Sequence, residues 1–382
     1  MSGTTYLDHA ATTPMRAEAV AAMLPHLSLQ YANPSGSHRF AREARTAIDD
    51  AREVVARVIG CEPGEVVFTS GGTEADNSAI LGTLALRGGT AVCPAAEHHA
   101  VLECVQRVGG PVVATLPTAA VDLEALAATL AASPEVSVVS VMAVNNEVGT
   151  INDLAAVARV VQRHAPQAVL HTDAVQAACW LDLRAITPHV HYLALSAHKF
   201  GGPKGVGVLV ARGGARFQPL LIGGGQERER RSGTHNVAGI VAMAEALRLT
   251  DVERITEVPR LAALRDRLVD ELLTALPDVH ETVPREHKVA GSAHLCIDGI
   301  ENEALLFLLD EAGVCASAAS ACAAGAMEPS HVLAAMGVPR ARAQGALRLT
   351  LGAASTEADV DRGIEVITAA VARLRRTRAV AS

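Results

Sequence analysis

The sequence predicts an α/β fold, and three observations carry that reading. Short apolar runs alternate with helical patterns from Glu65 to about residue 210, the order that builds a parallel sheet flanked by helices. The chain is 49% apolar and rich in Ala and Val, with one Trp, three Tyr and five Phe, a composition suited to tight helix–sheet packing. Four of the runs end in polar or glycine-rich residues, and open parallel sheets bind ligands beyond the carboxyl ends of their strands. At 382 residues there is room for one large domain and a smaller one, with a change near residue 252.

Residues 1–14 hold a short extended piece stopped at Thr13-Pro14, and helical patterning begins near Met15. Tyr31–His38 (YANPSGSH) reads as a loop from its Asn-Pro and Ser-Gly pairs. An amphipathic helix follows from about Ser37 to Ile59 and stops at Gly60. The strand Glu65–Thr69 gives way to Ser70-Gly71-Gly72-Thr73-Glu74 and a helix to about Leu86. Unpaired N–H groups at such a helix start favour an anion, although an ordinary capped helix has the same pattern. No G-x-x-x-x-G-K-[ST] and no G-x-G-x-x-G occurs. The strand near Thr90–Cys93 leads to Glu97-His98-His99, where adjacent histidines point to different sides and make poor joint metal ligands.

A helix near Leu123–Ala132 precedes the strand Val136–Val144, which ends in Asn145-Asn146-Glu147. A helix from about Asp153 to His164 leads into the strand Ala168–Thr172, ending in Asp173 with Gln176 a short turn later. The strand Val190–Leu195 ends in Ser196-Ala197-His198-Lys199 and is closed by Gly201, Gly202 and Pro203, with a second apolar run over Val206–Val210. Gly223–Arg228 and Arg231–Thr234 form a glycine-rich polar stretch suited to approach a phosphate or a second subunit, and equally to a plain surface loop. Helices from about Val237 and from Val252 onward, a strand near Ala293–Ile297 and a helix Glu303–Ala312 follow. Then come a small-residue stretch, Ala316–Ala326, containing Cys322, a strand Ala346–Leu351 carrying Arg348, and a helix from Glu357.

A formal charge of −8 argues against a general nucleic-acid or membrane-surface binder. The one basic cluster, Arg373, Arg375, Arg376 and Arg378, suits the end of a helix or the docking of a protein. With no N-terminal apolar segment and no run of about 18 uncharged apolar residues, a cytoplasmic protein without membrane contact is expected. Seven cysteines without a CxxC fit a reducing compartment. His189 and His191 share a strand face but have no third metal ligand nearby in sequence, so no metal is expected.

A lysine on a tight turn after a strand, beside His198, is partly desolvated and close to another potential cation, which lowers its pKa and lets it attack a carbonyl. An acid on a neighbouring strand and an anion site complete a set suited to pyridoxal 5'-phosphate. Lys199 would bond the cofactor, and Asp173 would keep its pyridine nitrogen protonated.

The stretches SAHKFGGPKGVG, HTDAVQ, VNNEVG, FTSGGTEADN, EHHAVL, GGGQERERRSGT and EPSHVLAAMG, in this chain from Tyr6 to about Ala353, closely resemble the cysteine desulfurases of the class V aminotransferase family. The resemblance implies a homodimer whose large domain (15–251) holds a mainly parallel seven-stranded sheet flanked by helices, with a smaller α+β domain (1–14 and 252–382) containing both termini. It also implies that Lys199 carries the cofactor, Asp173 pairs with its ring nitrogen, Gln176 contacts its phenolic oxygen and His98 stacks on the ring and moves protons. Gly72, Thr73, Ser196 and His198 would hold the phosphate, with Thr234 supplied by the partner subunit. Asn146 would lie near the cofactor oxygen and the substrate carboxylate, Arg348 would take that carboxylate as a bidentate pair, and Asn33 would line the substrate pocket.

Cys322 matches the family's nucleophile, which receives the sulfur of L-cysteine as a persulfide and leaves L-alanine. The surrounding Ser, Ala and Gly suit a loop that swings between the active site and a sulfur-acceptor protein, an iron–sulfur scaffold or a thiolation factor. Two departures fall beside it, since Ala319 stands where the family usually has Gly and Ala323 where it commonly has Thr or Ser. Two other readings make different predictions. A selenocysteine lyase or other class V enzyme keeps activity without Cys322, and a sulfur-transfer scaffold or redox protein is colourless and indifferent to Lys199.

Overall fold

In the computed structural model, which describes residues 3–318 and 330–381, β1 (Thr5–Tyr6) precedes helices α1 (Ala17–Ser28) and α2 (Arg39–Ile59). Strands and helices then alternate as β2 (Val66–Thr69), α3 (Gly72–Arg87), β3 (Thr90–Pro94), α4 (His99–Arg107), β4 (Val112–Val113), α5 (Leu123–Ala132) and β5 (Val136–Ser140). They continue as α6 (Leu154–His164), β6 (Val169–Asp173), α7 (Leu183–Ile186), β7 (Tyr192–Ser196) and β8 (Gly207–Ala211). The remainder is α8 (Val237–Ala275), β9 (Val279–Glu281), β10 (Ser292–Ile297), α9 (Asn302–Glu311), β11 (Val314–Cys315), α10 (His331–Ala335), α11 (Arg340–Ala343), β12 (Ala346–Thr350) and α12 (Glu357–Ala381).

The expected mainly parallel seven-stranded sheet is present, in the order β2-β8-β7-β6-β5-β3-β4. Strands β7, β6, β5, β3 and β4 are parallel, while β8 turns back after the Lys199 turn to lie antiparallel to both β7 and β2. Successive side chains of a strand face opposite sides, and both sides are dry here. Leu193 and Leu195 of β7 pack with Ile48, Val55 and Ile59 of α2, whereas Tyr192 and Ala194 pack with Ala79 and Ile80 of α3. Each such side chain contributes about 1.5–3 kcal/mol by leaving water, so β7 is pinned from both faces and its last residue is fixed in space.

A three-stranded antiparallel sheet, β12-β10-β9, packs on a separate cluster that includes Leu261, Leu268 and Leu272 of α8, Leu305 of α9 and Ile367 of α12. Strand β1 pairs in parallel with β11 beside it.

The two helices expected around residue 252 are one continuous helix of 39 residues, with Pro259 inside it. Its first half packs Ile240, Met243 and Leu247 against the large-sheet cluster, and its second half belongs to the smaller one. The strand expected to reach Val144 is regular to Ser140, and beyond it Val141 and Ala143 N–H still donate to the carbonyls of His171 (3.0 Å) and Asp173 (2.9 Å). Asn145 then turns the chain, its Oδ1 accepting from the N–H groups of Glu147 (2.9 Å) and Val148 (3.0 Å). Strands β4, β9 and β11 and helices α10 and α11 are too short to leave a periodic signal in sequence.

Candidate active site

The carboxyl ends of β2, β5, β6 and β7 open on one cavity of about 700 Å³. Gly72, Thr73, His98, Asn146, Asp173, Gln176, Ser196, His198, Lys199 and Arg348 all line it. The fold therefore brings residues from six separate stretches to one place, five of them at the edge of the large sheet and Arg348 from β12.

Lys199 sits on a 3₁₀ turn directly after β7. Its Nζ donates to the carbonyls of Ala10 (2.5 Å) and Ala11 (2.8 Å). Burial, with the Arg348 guanidinium nearby, pushes its pKa down to about 8. Gln176 Nε2 donates to the same Ala10 carbonyl at 2.7 Å, His198 Nδ1 meets Thr12 Oγ1 at 3.1 Å, and Gly201 N–H donates to Thr13 Oγ1 at 2.9 Å. Residues 10–13 thus form a strap over the lysine turn.

Asp173 ends β6 and is almost wholly buried. Its Oδ1 accepts from Val175 N–H at 2.9 Å. Burial raises its pKa, while His98, that hydrogen bond and Lys199 oppose the rise. His98 caps α4 by accepting from Ala100 N–H through Nδ1 (3.1 Å), which leaves Nε2 as the free end of the ring.

Helix α3 starts at Gly72 and runs for 16 residues, so its unpaired N–H groups and dipole point at the cavity mouth. Gly71 before it has φ +155°, and a side chain there would stand 3.6 Å from Ser196 Oγ, inside the mouth of this cradle. A Cβ on Gly72 would come within 2.6 Å of Val175. Thr73, Ser196, His198 and Lys204 surround the same space. The donor set suits a phosphate, and a carboxylate and an amine stand on the same cavity, so these residues fit pyridoxal 5'-phosphate.

Arg348 enters from β12. Its guanidinium donates to Asp8 Oδ1 (2.7 Å) and to the Asn146 carbonyl (2.9 Å), while the buried Nε has no partner among the described residues. That leaves a donor for a carboxylate.

The chain belongs to the class-V aminotransferase family. The family model, Aminotransferase class-V, matches residues 5–362. The chain is 44% identical to the IscS-like cysteine desulfurase of Mycobacterium tuberculosis, covering 99% of this chain and 98% of that protein. It is 40% identical to the cysteine desulfurase IscS of Dictyoglomus turgidum, over 97% and 95% of the two chains. The solved structure of a NifS-like protein superimposes with a TM-score of 0.91 at 33% identity, over 97% of this chain and all of that one. Within the class-V family the chain therefore groups with the cysteine desulfurases, whose members depend on pyridoxal 5'-phosphate.

Two expected site residues stand apart from the cavity. Asn33 is exposed and its Oδ1 accepts from Ser35 N–H at 2.9 Å. Thr234 is likewise exposed. Their neighbours Pro34, Ser35, Gly224–Arg228 and His235 line a separate surface pocket together. Cys322, with Ala319 and Ala323, lies outside the described residues.

The stretch leading to Thr234 is held by one buried carboxylate. Glu227 accepts from Arg52 (2.9 and 2.6 Å), from Phe68 N–H (2.9 Å) and pairs with His235 Nε2 (2.8 Å). Glu227, Arg228 and Glu229 all have positive φ (48°, 58° and 64°), which costs on the order of 1–2 kcal/mol each without glycine. Bonds to His235 and Arg52 hold Glu227 down to about 2 despite its burial. Glu227→Gln is expected to destabilise the protein by about 3 kcal/mol, read as a lower thermal midpoint near neutral pH. The sign follows from the depressed carboxyl: the stabilisation is complete above the ordinary Glu value and is lost as pH falls through about 2. An unchanged midpoint would show the strained tripeptide to be held by something else.

Sequence reasoning missed Asp8, the Ala10–Thr12 strap, Lys204 and Asp76, which also faces the cavity. The motif YLDHAATTP carried the first two, but only as an extended piece before a turn.

Proposed function

We propose that this chain is a pyridoxal 5'-phosphate-dependent cysteine desulfurase that moves the sulfur of L-cysteine onto Cys322 and hands it to an acceptor protein. The gathering of Lys199, Asp173, His98 and Arg348 around one cavity is the observation that carries the reading. When bound, pyridoxal 5'-phosphate supplies an electron sink for bonds broken at the amino acid's α-carbon. The α3 N-terminus with Gly72, Thr73, Ser196 and His198 would hold its phosphate, and Asp173, Gln176 and His98 would bind the rest of it, Asp173 keeping its ring nitrogen protonated.

The protein's own residues do the rest. Lys199 Nζ, pushed down to about 8, both bonds the cofactor and exchanges protons near neutral pH. Arg348 and Asn146 fix the substrate carboxylate, and this orients the α-carbon. The net change balances as L-cysteine plus the Cys322 thiol giving L-alanine plus the Cys322 persulfide. The persulfide then passes its outer sulfur to a thiolate on an iron–sulfur scaffold or a thiolation factor.

A homodimer is part of the reading. Asn33 and Thr234 lie off the cavity of their own chain, and a second copy would present that face to it. We also place the enzyme in the cytoplasm, on the strength of six free cysteines among the described residues. No helix among those residues is long and apolar enough to cross a membrane. The large domain (15–251) and the small one (1–14 and 252–382) are proposed to meet within α8, whose two halves serve different cores.

The direct test supplies L-cysteine and a reductant to the purified protein, with visible absorbance recorded. Equal amounts of alanine and sulfide from a yellow protein support the reading. A colourless protein that added cofactor does not restore, or sulfide without alanine, would overturn it. Arg348→Gln is expected to raise KM for L-cysteine on the order of 10²-fold with the visible band intact, because the charge-assisted pairing with the substrate carboxylate is lost. An unchanged KM would remove Arg348 from the substrate site.

A further inference from the structure

We propose that Asp76 is a positioning residue of this site: its neutral carboxyl donates to His171 Nε2 and completes a buried chain, Asp76–His171–Ser140, that keeps the negative charge of the cavity floor on Asp173. The proposal rests on the cysteine desulfurase reading and concerns residues that the chemistry above does not use.

The juxtaposition follows from the sheet. Val169, His171 and Asp173 alternate onto the face of β6 covered by α3, so His171 lies about 7 Å further down the strand from Asp173. Ser140 is the register partner of His171 on β5. His171 Nδ1 lies 2.8 Å from Ser140 Oγ, and Nε2 lies 3.3 Å from Asp76 Oδ1. Asp76 is 1% exposed and the other two are fully buried. The 3.3 Å approach is an ion-pair distance without regular hydrogen-bond geometry, and neither Asp76 Oδ1 nor His171 Nε2 makes a hydrogen bond among the described residues.

The groups that face Asp76 are Asp173, Glu97, His171 and, from α4, the Cys104 thiol. None is a lysine or arginine. An ionised Asp76 would be a buried anion beside Asp173, and two carboxylates in one dry site do not both ionise. Asp173 is the one with compensation, from Val175 N–H and from the nearby His98 and Lys199. Burial, with Asp173 and Glu97 close, holds Asp76 well above the usual carboxylate range, and burial holds His171 down to about 3. The proton therefore resides on Asp76. His171 is neutral, and in this arrangement Nδ1 donates to Ser140 while Nε2 is left to accept the Asp76 proton across the 3.3 Å gap. A neutral Asp76 also leaves the basicity of Asp173 to be set by the cavity.

The test compares Asp76→Asn and Asp76→Ala by two readouts besides turnover: the cofactor dissociation constant by absorbance titration, and the pH midpoint of the bound cofactor's visible band. Asparagine mimics the protonated acid, so its midpoint should stay within about half a pH unit of wild type and its dissociation constant within about threefold. Alanine leaves a buried histidine nitrogen unpaired and should weaken cofactor binding about tenfold. An asparagine variant shifted by about one pH unit or more would mean that Asp76 carries charge, and an alanine variant matching wild type would mean that it does nothing; either overturns the proposal. Should alanine fail to fold, the asparagine midpoint alone decides. A wild type that binds no cofactor fails the functional reading itself, which is a separate result.

Discussion

Lys199→Ala is expected to fold, to lose covalent attachment of the cofactor and to release no measurable sulfide, a fall in kcat of at least about 10⁴-fold. The turn should survive because its backbone makes it: Phe200 and Gly202 N–H groups both donate to the Ala197 carbonyl, at 3.1 and 2.9 Å. What disappears is the one amine that β7 aims into the cavity. Borohydride reduction followed by intact-mass measurement reads the outcome directly, since wild type should gain the mass of the cofactor and the variant should not. A yellow, active alanine variant would remove the lysine from the chemistry and with it the functional reading. The same amine sets a pH dependence. With its pKa pushed down to about 8, cofactor uptake by the apoprotein should accelerate as pH rises through about 8, where Nζ loses its proton. Free lysine would place that rise near 10.4. The cost of burying the charged amine is fully present below pH 8 and is relieved between 8 and the free value, so apoprotein stability rises across that window.

The strand ends were legible in sequence because an α/β sheet sends all its parallel strands out at one edge. Ser70–Thr73, Asn146, Asp173 with Gln176, and Ser196–Lys199 each follow an apolar run, and the sheet brings them together without further instruction. The N-terminal strap was not legible for the opposite reason. Ala10 and Ala11 reach Lys199 across nearly 190 residues, through backbone carbonyls that carry no side-chain signature. Asp8 was hidden in the same way, since its role depends on Arg348, 340 residues away. Asp76 looked like an ordinary polar position in a helix. Only the side of α3 that meets the sheet reveals that it is buried. Asn33 and Thr234 mark a different limit: the resemblance gave them roles at the site, and this chain holds both at its surface, away from its own cavity.

Cys322→Ser is expected to leave the visible band unchanged and to abolish sulfide release from L-cysteine, and this variant separates a desulfurase from a lyase. The band should persist because the groups proposed to hold the cofactor, Lys199, Asp173 and the phosphate ligands around Thr73 and Ser196, are unaltered. The activity should vanish because a hydroxyl does not take up sulfur, whereas a thiolate does. The described residues on either side of that stretch are tied to the cavity wall. Ser317 pairs by backbone with Arg348 (N–H to carbonyl, 2.7 and 3.3 Å), and Ser330 Oγ donates to Glu147, the residue after Asn146. Cys315 is the natural control. It lies on β11, paired with β1, and burial raises its thiol above the ordinary range, so Cys315→Ser should retain activity. Mass spectrometry of wild type after one turnover without reductant should find about 32 Da added on the peptide containing Cys322, the mass of the one sulfur that a persulfide retains. Full sulfide release by the serine variant would make the protein a lyase that needs no enzyme thiol. Added sulfur on Cys315 instead would move the nucleophile seven residues upstream and leave the cavity chemistry intact.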